Sequence, residues 1–277
     1  MRQFVLPADY SGESRLILRG RSFHYVREVL RLPVGSTFPG MDTKGTRVTL
    51  TIVDAGKSSC TVSVEPVIHG HDPSPSSGAA AQARSAAGPV PGDSTRGRPR
   101  ITLFQCLPKG RKMDLIVRQA AEAGIDRIVP VMSEHSIARI DAGDSGKTGR
   151  WHRIIREALQ QSGTDHLPIL EYPLPFDSIP AEQEGGGTGL FFHERPLANK
   201  TLHEYLLDAT DQIALVVGPE GGLSEKEVAL LTSAGFGSVW LGESVLRVET
   251  AALYSIAAVQ IVLLERDSWK ARPRSNG

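Results

Sequence analysis

Residues 213–254 place the tightest limits on what this chain can fold into. Residues 213–217 read Ile-Ala-Leu-Val-Val, an apolar run with no polar break, as a strand covered on both faces requires. Gly218-Pro219-Glu220-Gly221-Gly222 follows at once and makes a glycine-rich turn. Ser224 and Glu227 then have the spacing of a capping box, and Leu223 is placed to pack on Val228 as a hydrophobic staple. This predicts a helix that stops at Gly235. A short strand over 238–241, a second loop over 242–247 and a last helix, with Thr250 placed to cap it, complete the segment. In open α/β sheets, ligands bind beyond the carboxyl ends of the strands. Two loops after successive strands therefore point to one cleft, which glycine lets a ligand approach closely.

The same alternation extends upstream. Residues 101–106 read as a strand, followed by a helix over about 111–123. Met113, Ile116, Val117 and Ala120 give that helix one apolar face, and Gly124 is its stop. A strand over 127–132, a helix with Trp151, Ile154, Ile155 and Ala158 on one face, and a strand over 189–193 come next. The fold class expected for residues 100–270 is α/β, a mostly parallel sheet with helices on both faces. Residues 69–99 contain no Leu, Ile, Phe, Tyr or Trp and read as a flexible linker. Ahead of it, residues 1–68 hold short β segments over 15–18, 47–53 and 59–64, with a helical patch over 22–32. A small β-barrel is expected there.

Composition excludes several functions. Lys+Arg and Asp+Glu both number 31, so any nucleic-acid site must come from local clustering rather than bulk charge. The two cysteines, Cys60 and Cys106, form no C-x-x-C pair, which points to a reducing cytosol and neither a zinc site nor a disulfide framework. The apolar stretch 251–264 is shorter than a bilayer span, contains Ser255 and Gln260, and is expected to be a buried helix. The glycine turn lacks the G-K-[ST] of a P-loop, no G-x-G-x-x-G opens a helix, and the histidines show no metal spacing.

Two basic clusters are candidates for phosphate contact. Lys109, Arg111 and Lys112 sit at a helix N-terminus, where cations oppose the macrodipole but an added phosphate suits both. His24, Arg27 and Arg31 fall at i, i+3, i+7 on the predicted 22–32 helix, with Arg2 as a candidate neighbour.

The motifs HYVREVLRLPVG, LPKGRKMDLIVRQAAEAGIDRIVPV, RWHRIIREALQQSG, VVGPEGGLSEKEV and LGESVLRVETAAL together resemble the bacterial ribosomal RNA small subunit methyltransferase E family. The resemblance implies a cytoplasmic enzyme that methylates N3 of a uridine in the decoding region of 16S rRNA, within the small (30S) ribosomal subunit. It implies a SPOUT fold with a trefoil knot, a PUA-like N-terminal barrel and a homodimer. It also implies S-adenosylmethionine bound against 190–194, 217–222, 240–242 and 246–251. The cofactor contacts so expected are Leu190, Phe192 and His193; Val217, Gly218, Pro219, Glu220, Gly221 and Gly222; Leu241 and Gly242; and Leu246, Val248, Thr250 and Ala251.

In such a reaction, catalysis reduces to positioning and charge stabilisation. Arg247 is the candidate for stabilising the uridine, and Glu249 for removing its proton or holding Arg247. A structural ion pair between the two is the competing expectation. Two departures from the family pattern stand out: Thr164 replaces an arginine, and Val248 replaces a threonine. The rival readings are a SPOUT enzyme acting on a tRNA ribose 2′-hydroxyl and a non-catalytic RNA-binding assembly factor.

Overall fold

The computed structural model describes residues 4–7, 10–42, 45–67, 99–137, 145–164, 166–183, 187–197, 200–209 and 211–270, with 145 and 267–270 described by backbone alone. Arg2 lies outside these residues, as does the linker stretch apart from Pro99. The chain divides into two compact units. One holds the N-terminal elements together with Leu159–Leu167, and the other holds the remaining C-terminal elements.

The N-terminal unit contains β1 (Phe4–Val5), β2 (Arg15–Arg19), α1 (Gly20–His24), β3 (Thr37–Met41), β4 (Arg47–Ala55) and β5 (Ser59–Pro66). Along β4 and β5, Val48, Leu50, Ile52, Cys60, Val62 and Val64 alternate with less buried positions, so one face packs into a core. The strand order is β1-β3-β4-β5-β2, with β1 parallel to β3 and the other pairs antiparallel.

Among the described residues the small β-barrel expected here is an open half-barrel. β1 and β2 are the two edges of an open sheet. A bulge between Ile52 and Asp54 bends β4, and the two-residue β1 is too short to carry the ladder around to β2. The helical segment fills the core instead: Val26 is fully buried in the same cluster as Phe4, Leu18 and Phe38.

The C-terminal unit runs β6 (Arg100–Cys106), α2 (Lys112–Glu122), β7 (Arg127–Met132), α3 (Ser145–Ser162, of which the residues from Leu159 on fall in the first unit), β8 (Ile169–Leu170), β9 (Leu174–Pro175), α4 (Ile179–Glu182), β10 (Thr188–His193), α5 (Leu202–Leu207), β11 (Gln212–Val217), α6 (Glu225–Ser233), β12 (Gly237–Trp240) and α7 (Val248–Lys270). All its strand pairs are parallel, in the order β12-β10-β11-β6-β7-β8, with β9 also on β7. Ile213–Val217 are all buried, so both faces of the sheet are covered, as parallel sheets require. Phe104, Val129, Phe191, Val216, Leu231 and Phe236 share one of the core clusters.

Expectation and structure differ most at α7. The helix is 23 residues long rather than the short segment read from 251–264, and Val248–Arg266 is long and apolar enough to cross a membrane by length and composition. Only a third of that window is buried. Ala252, Ile256, Val259 and Val262 supply the buried stripe, while Leu253, Tyr254, Ile261 and Leu264 are exposed. The helix is nevertheless fastened to its own unit: Gln260 Nε2 donates to the Ala123 carbonyl at 2.6 Å, and Arg266 Nη1 to the Ala209 carbonyl at 3.1 Å.

Candidate functional site

The carboxyl ends of β10, β11 and β12 lie side by side. Phe192 is in register with both Val217 and Val239, and His193 with Trp240. β11 and β12 are therefore not neighbours, because β10 runs between them. The glycine turn after β11 and the loop after β12 flank the end of β10, and a cleft opens there. β10 contributes Phe192, His193 and Glu194; the turn contributes Val217, Gly218, Pro219, Glu220 and Gly222. The second loop and the start of α7 contribute Leu241, Gly242, Leu246, Val248 and Ala251.

Ser244 and Val245 also line the cleft. Sequence reasoning did not single them out, although their position between Gly242 and Leu246 was available as a signal.

Three residues expected at the cofactor do not line the cleft. Leu190 is fully buried inside the sheet. Gly221 faces the other way: a Cβ there would lie 3.0 Å from His135 Cβ. Thr250 is exposed, and it does not cap α7 either. The Ala251 N–H donates to the Arg247 carbonyl at 2.8 Å, which puts Arg247 at the cap position and Thr250 inside the first turn.

The turn is built by local chemistry and then braced from outside. A Cβ on Gly218 would meet the Gly222 and Leu223 backbone at 3.2 Å, and Gly222 has φ +71°, so the chain doubles back as only glycine readily allows. The capping box forms as predicted: Ser224 Oγ accepts from the Glu227 N–H at 3.3 Å, and Glu227 Oε2 accepts from the Ser224 N–H at 2.9 Å. Leu223 is buried in the same cluster against which Val228 packs. Glu227, only 6% exposed, also accepts from the Glu134 N–H at 2.8 Å. His135 Nδ1 lies 3.1 Å from the Gly222 carbonyl oxygen.

On the opposite wall, His193 Nδ1 accepts from the Arg195 N–H at 3.0 Å. Trp240 Nε1 donates to the Glu194 carbonyl at 3.1 Å. His193 is thus engaged through Nδ1 in shaping its own loop.

A sequence profile of the RNA methyltransferase domain family matches residues 96–260. A ribosomal RNA small subunit methyltransferase E from Bacillus subtilis is 30% identical over 182 residues, spanning 61% of this chain and 69% of that protein. The chain belongs to the ribosomal RNA small subunit methyltransferase E family. The family member from Mycobacterium bovis is 32% identical over 176 residues; the match spans 62% of this chain and 66% of that protein, just under two thirds of its length. The structure of the family member from Neisseria gonorrhoeae, bound to S-adenosyl methionine, superposes with a TM-score of 0.70 at 26% identity, over 95% of this chain and 98% of that one.

Within this methyltransferase E family member, Glu220 joins the glycine turn to the basic cluster. It accepts from the Lys109 N–H at 3.1 Å and pairs with Lys112 Nζ at 2.8 Å. Desolvation raises the Glu220 carboxyl, but the Lys112 bond and the backbone N–H groups outweigh it and hold the carboxyl below its ordinary value. The cations at the start of α2 are thus offset by a carboxylate brought from 108 residues away, which suits the helix N-terminus. Lys112 is committed to that pair, while Lys109 and Arg111 present exposed side chains.

Arg247 is exposed and flanked by two cleft residues, Leu246 and Val248. The expected ion pair with Glu249 is absent among the described residues. Glu249 Oε2 is buried with no hydrogen-bond partner.

His24, Arg27 and Arg31 do not share a regular helical face. The α-helix ends at His24, a π-helical turn spans Tyr25–Val29, and Arg31 has φ +54°. The wider turn changes the spacing on which i, i+3, i+7 depends. Arg27 also donates from Nη1 to the Leu32 carbonyl, which commits part of its guanidinium to the local fold.

Proposed function

We propose that this protein transfers a methyl group from S-adenosylmethionine to N3 of a uridine in the decoding region of 16S rRNA. The observation that carries the reading is the cleft at the ends of β10, β11 and β12, in a chain of this family. Its lining suits such a ligand. Phe192, Val217, Leu241, Leu246 and Val248 offer apolar walls for a flat base, while the two loops offer main-chain donors and acceptors. When bound, S-adenosylmethionine supplies an electrophilic methyl carried on a sulfonium.

The residues of this chain then have the acceptor to prepare. Uridine N3 carries an imide proton and becomes nucleophilic as that proton leaves. Arg247 stabilises the negative charge that develops on the flanking carbonyl oxygens. Glu249, whose Oε2 lacks a partner, accepts the proton. The N3 lone pair forms the new bond to carbon as the sulfur–carbon bond breaks.

Lys109 and Arg111 hold phosphates of the RNA. The exposed apolar side of α7, with Leu253, Tyr254, Ile261 and Leu264, meets a second copy of the chain. The knot implied by the resemblance accords with the strand order, in which the later strand β11 is inserted between β6 and β10. A cytoplasmic setting accords with two free, buried cysteines.

The direct test is methyl transfer to 30S subunits from a strain lacking the enzyme, followed by nucleoside analysis. 3-Methyluridine is the expected product; a ribose-methylated nucleoside, or no incorporation, counts against the proposal. Charge reversal in the double variant Lys109→Glu, Arg111→Glu is expected to weaken RNA binding. It should also make the slope of log K against log salt shallower by about 0.7–0.9 for each phosphate no longer neutralised. An unchanged slope would remove this cluster from the RNA site.

A further inference from the structure

We infer that the outward face of α3 is a second RNA-phosphate contact surface, an inference that rests on an RNA substrate as proposed above. α3 carries Lys147, Arg150, Arg153 and Arg156 against a single acid, Glu157, although the whole chain is charge-neutral. The helix separates its residues sharply. Trp151, Ile154, Ile155 and Ala158 are buried, while His152 and Arg153 are exposed and Arg156 is half-buried.

Arg150, Arg153 and Arg156 recur every third residue, so they form one ridge climbing about 4.5 Å per step along the axis. His152 stands one turn from Arg156 and borders the same ridge.

The ridge is anchored at one end and open along the rest. Arg150 Nη2 pairs with Asp114 at 2.6 Å, and the same carboxylate accepts from Trp151 Nε1 at 3.2 Å, which fastens α3 to α2. Asp114 is thereby used up. Among the described residues, neither Arg153 nor Arg156 has an ion-pair partner. Holding Arg153 and Arg156 in a row with the anchored Arg150, on a helix whose single acid is Glu157, has no packing benefit, because the buried side of the helix already supplies the contacts. A polyanion is the occupant this charge pattern complements, and planar guanidinium groups suit phosphate oxygens.

The test uses the full-length protein and a fluorescein-labelled RNA carrying the 16S decoding region, read by anisotropy over a salt series. Arg153→Glu with Arg156→Glu is expected to weaken binding at least about tenfold at low salt. The salt slope should become shallower by about 1.4–1.8 if two phosphates are no longer neutralised. Arg153→Gln with Arg156→Gln, which removes the charges without reversing them, should show a smaller change in the same direction. S-adenosylmethionine binding by calorimetry should be unchanged in both, which also reports that the C-terminal unit is folded. Wild-type RNA affinity and slope in both variants overturn the α3 surface while leaving the proposed enzyme intact. A wild-type protein that binds no S-adenosylmethionine, but whose RNA binding still depends on Arg153 and Arg156, upholds the surface and overturns the enzyme.

Discussion

Arg247→Ala is expected to lower the rate constant for methyl transfer by about 10²–10³-fold, the usual loss when one stabiliser of developing charge is removed from an active site. The expectation rests on position. Arg247 lies between Leu246 and Val248, both of which line the cleft, and its own side chain is exposed rather than packed. Its structural contribution is made by its carbonyl oxygen, which accepts from the Ala251 N–H. Any residue supplies that oxygen, so alanine leaves the α7 start in place. The thermal midpoint and the calorimetric affinity for S-adenosylmethionine should therefore stay near wild type. Single-turnover kinetics on 30S subunits separate the chemical step from binding. A rate equal to wild type would take Arg247 out of the mechanism, and a collapse of the melting temperature would reassign it to the fold.

Glu227→Ala should produce the largest loss of stability among the residues around the cleft. Its carboxylate, 6% exposed, accepts from the N–H groups of Ser224 and Glu134, the second of these 93 residues away. Alanine removes the capping box and leaves two partly buried donors without acceptors. Ser224 Oγ still accepts from the backbone N–H of residue 227, so the cost lies in the two stranded donors, about 1–3 kcal/mol each where water does not replace the acceptor. Allowing for partial rehydration, a total of about 2–4 kcal/mol is expected, or a drop of roughly 5–15 °C in Tm for a domain of this size. Glu227→Gln keeps one acceptor oxygen and should lose less. Hydrogen exchange at the Glu134 amide gives a local reading: faster exchange is expected in Glu227→Ala, and unchanged protection would show that the carboxylate does not brace this loop.

The parts of the site that were legible from sequence are those whose partners lie within a few residues. Gly218 and Gly222 announced a doubled-back turn, and Ser224 with Glu227 announced the start of α6, because turn and cap chemistry is local. The buried runs of β6, β7 and β11 were equally plain, since a strand covered on both faces has few polar residues. The same local reasoning misplaced Thr250 by one turn, because more than one residue before a helix can satisfy a capping pattern and packing selects among them. It misread 22–32 as one regular helix, because nothing in those side chains signals the switch to a π-turn at Tyr25 that places Val26 in the core. β1, β8 and β9 were missed because two residues carry no periodicity.

What remained hidden has a common cause. The insertion of β10 between β11 and β12 depends on which apolar strands pair, and several strands here are interchangeable by composition. The sequence already pointed the two loops at one cleft; the strand order supplies the reason, because it sets the end of β10, with His193 and Glu194, between them. The attachment of Glu220 to Lys112, of Glu227 to Glu134 and of His135 to Gly222 likewise depends on where distant chain segments arrive. Residue type and short-range spacing settle the turns, caps and buried strands, since those energies are decided within one turn of chain. Strand order, and every contact that crosses it, is decided only when the whole sheet has closed over its core.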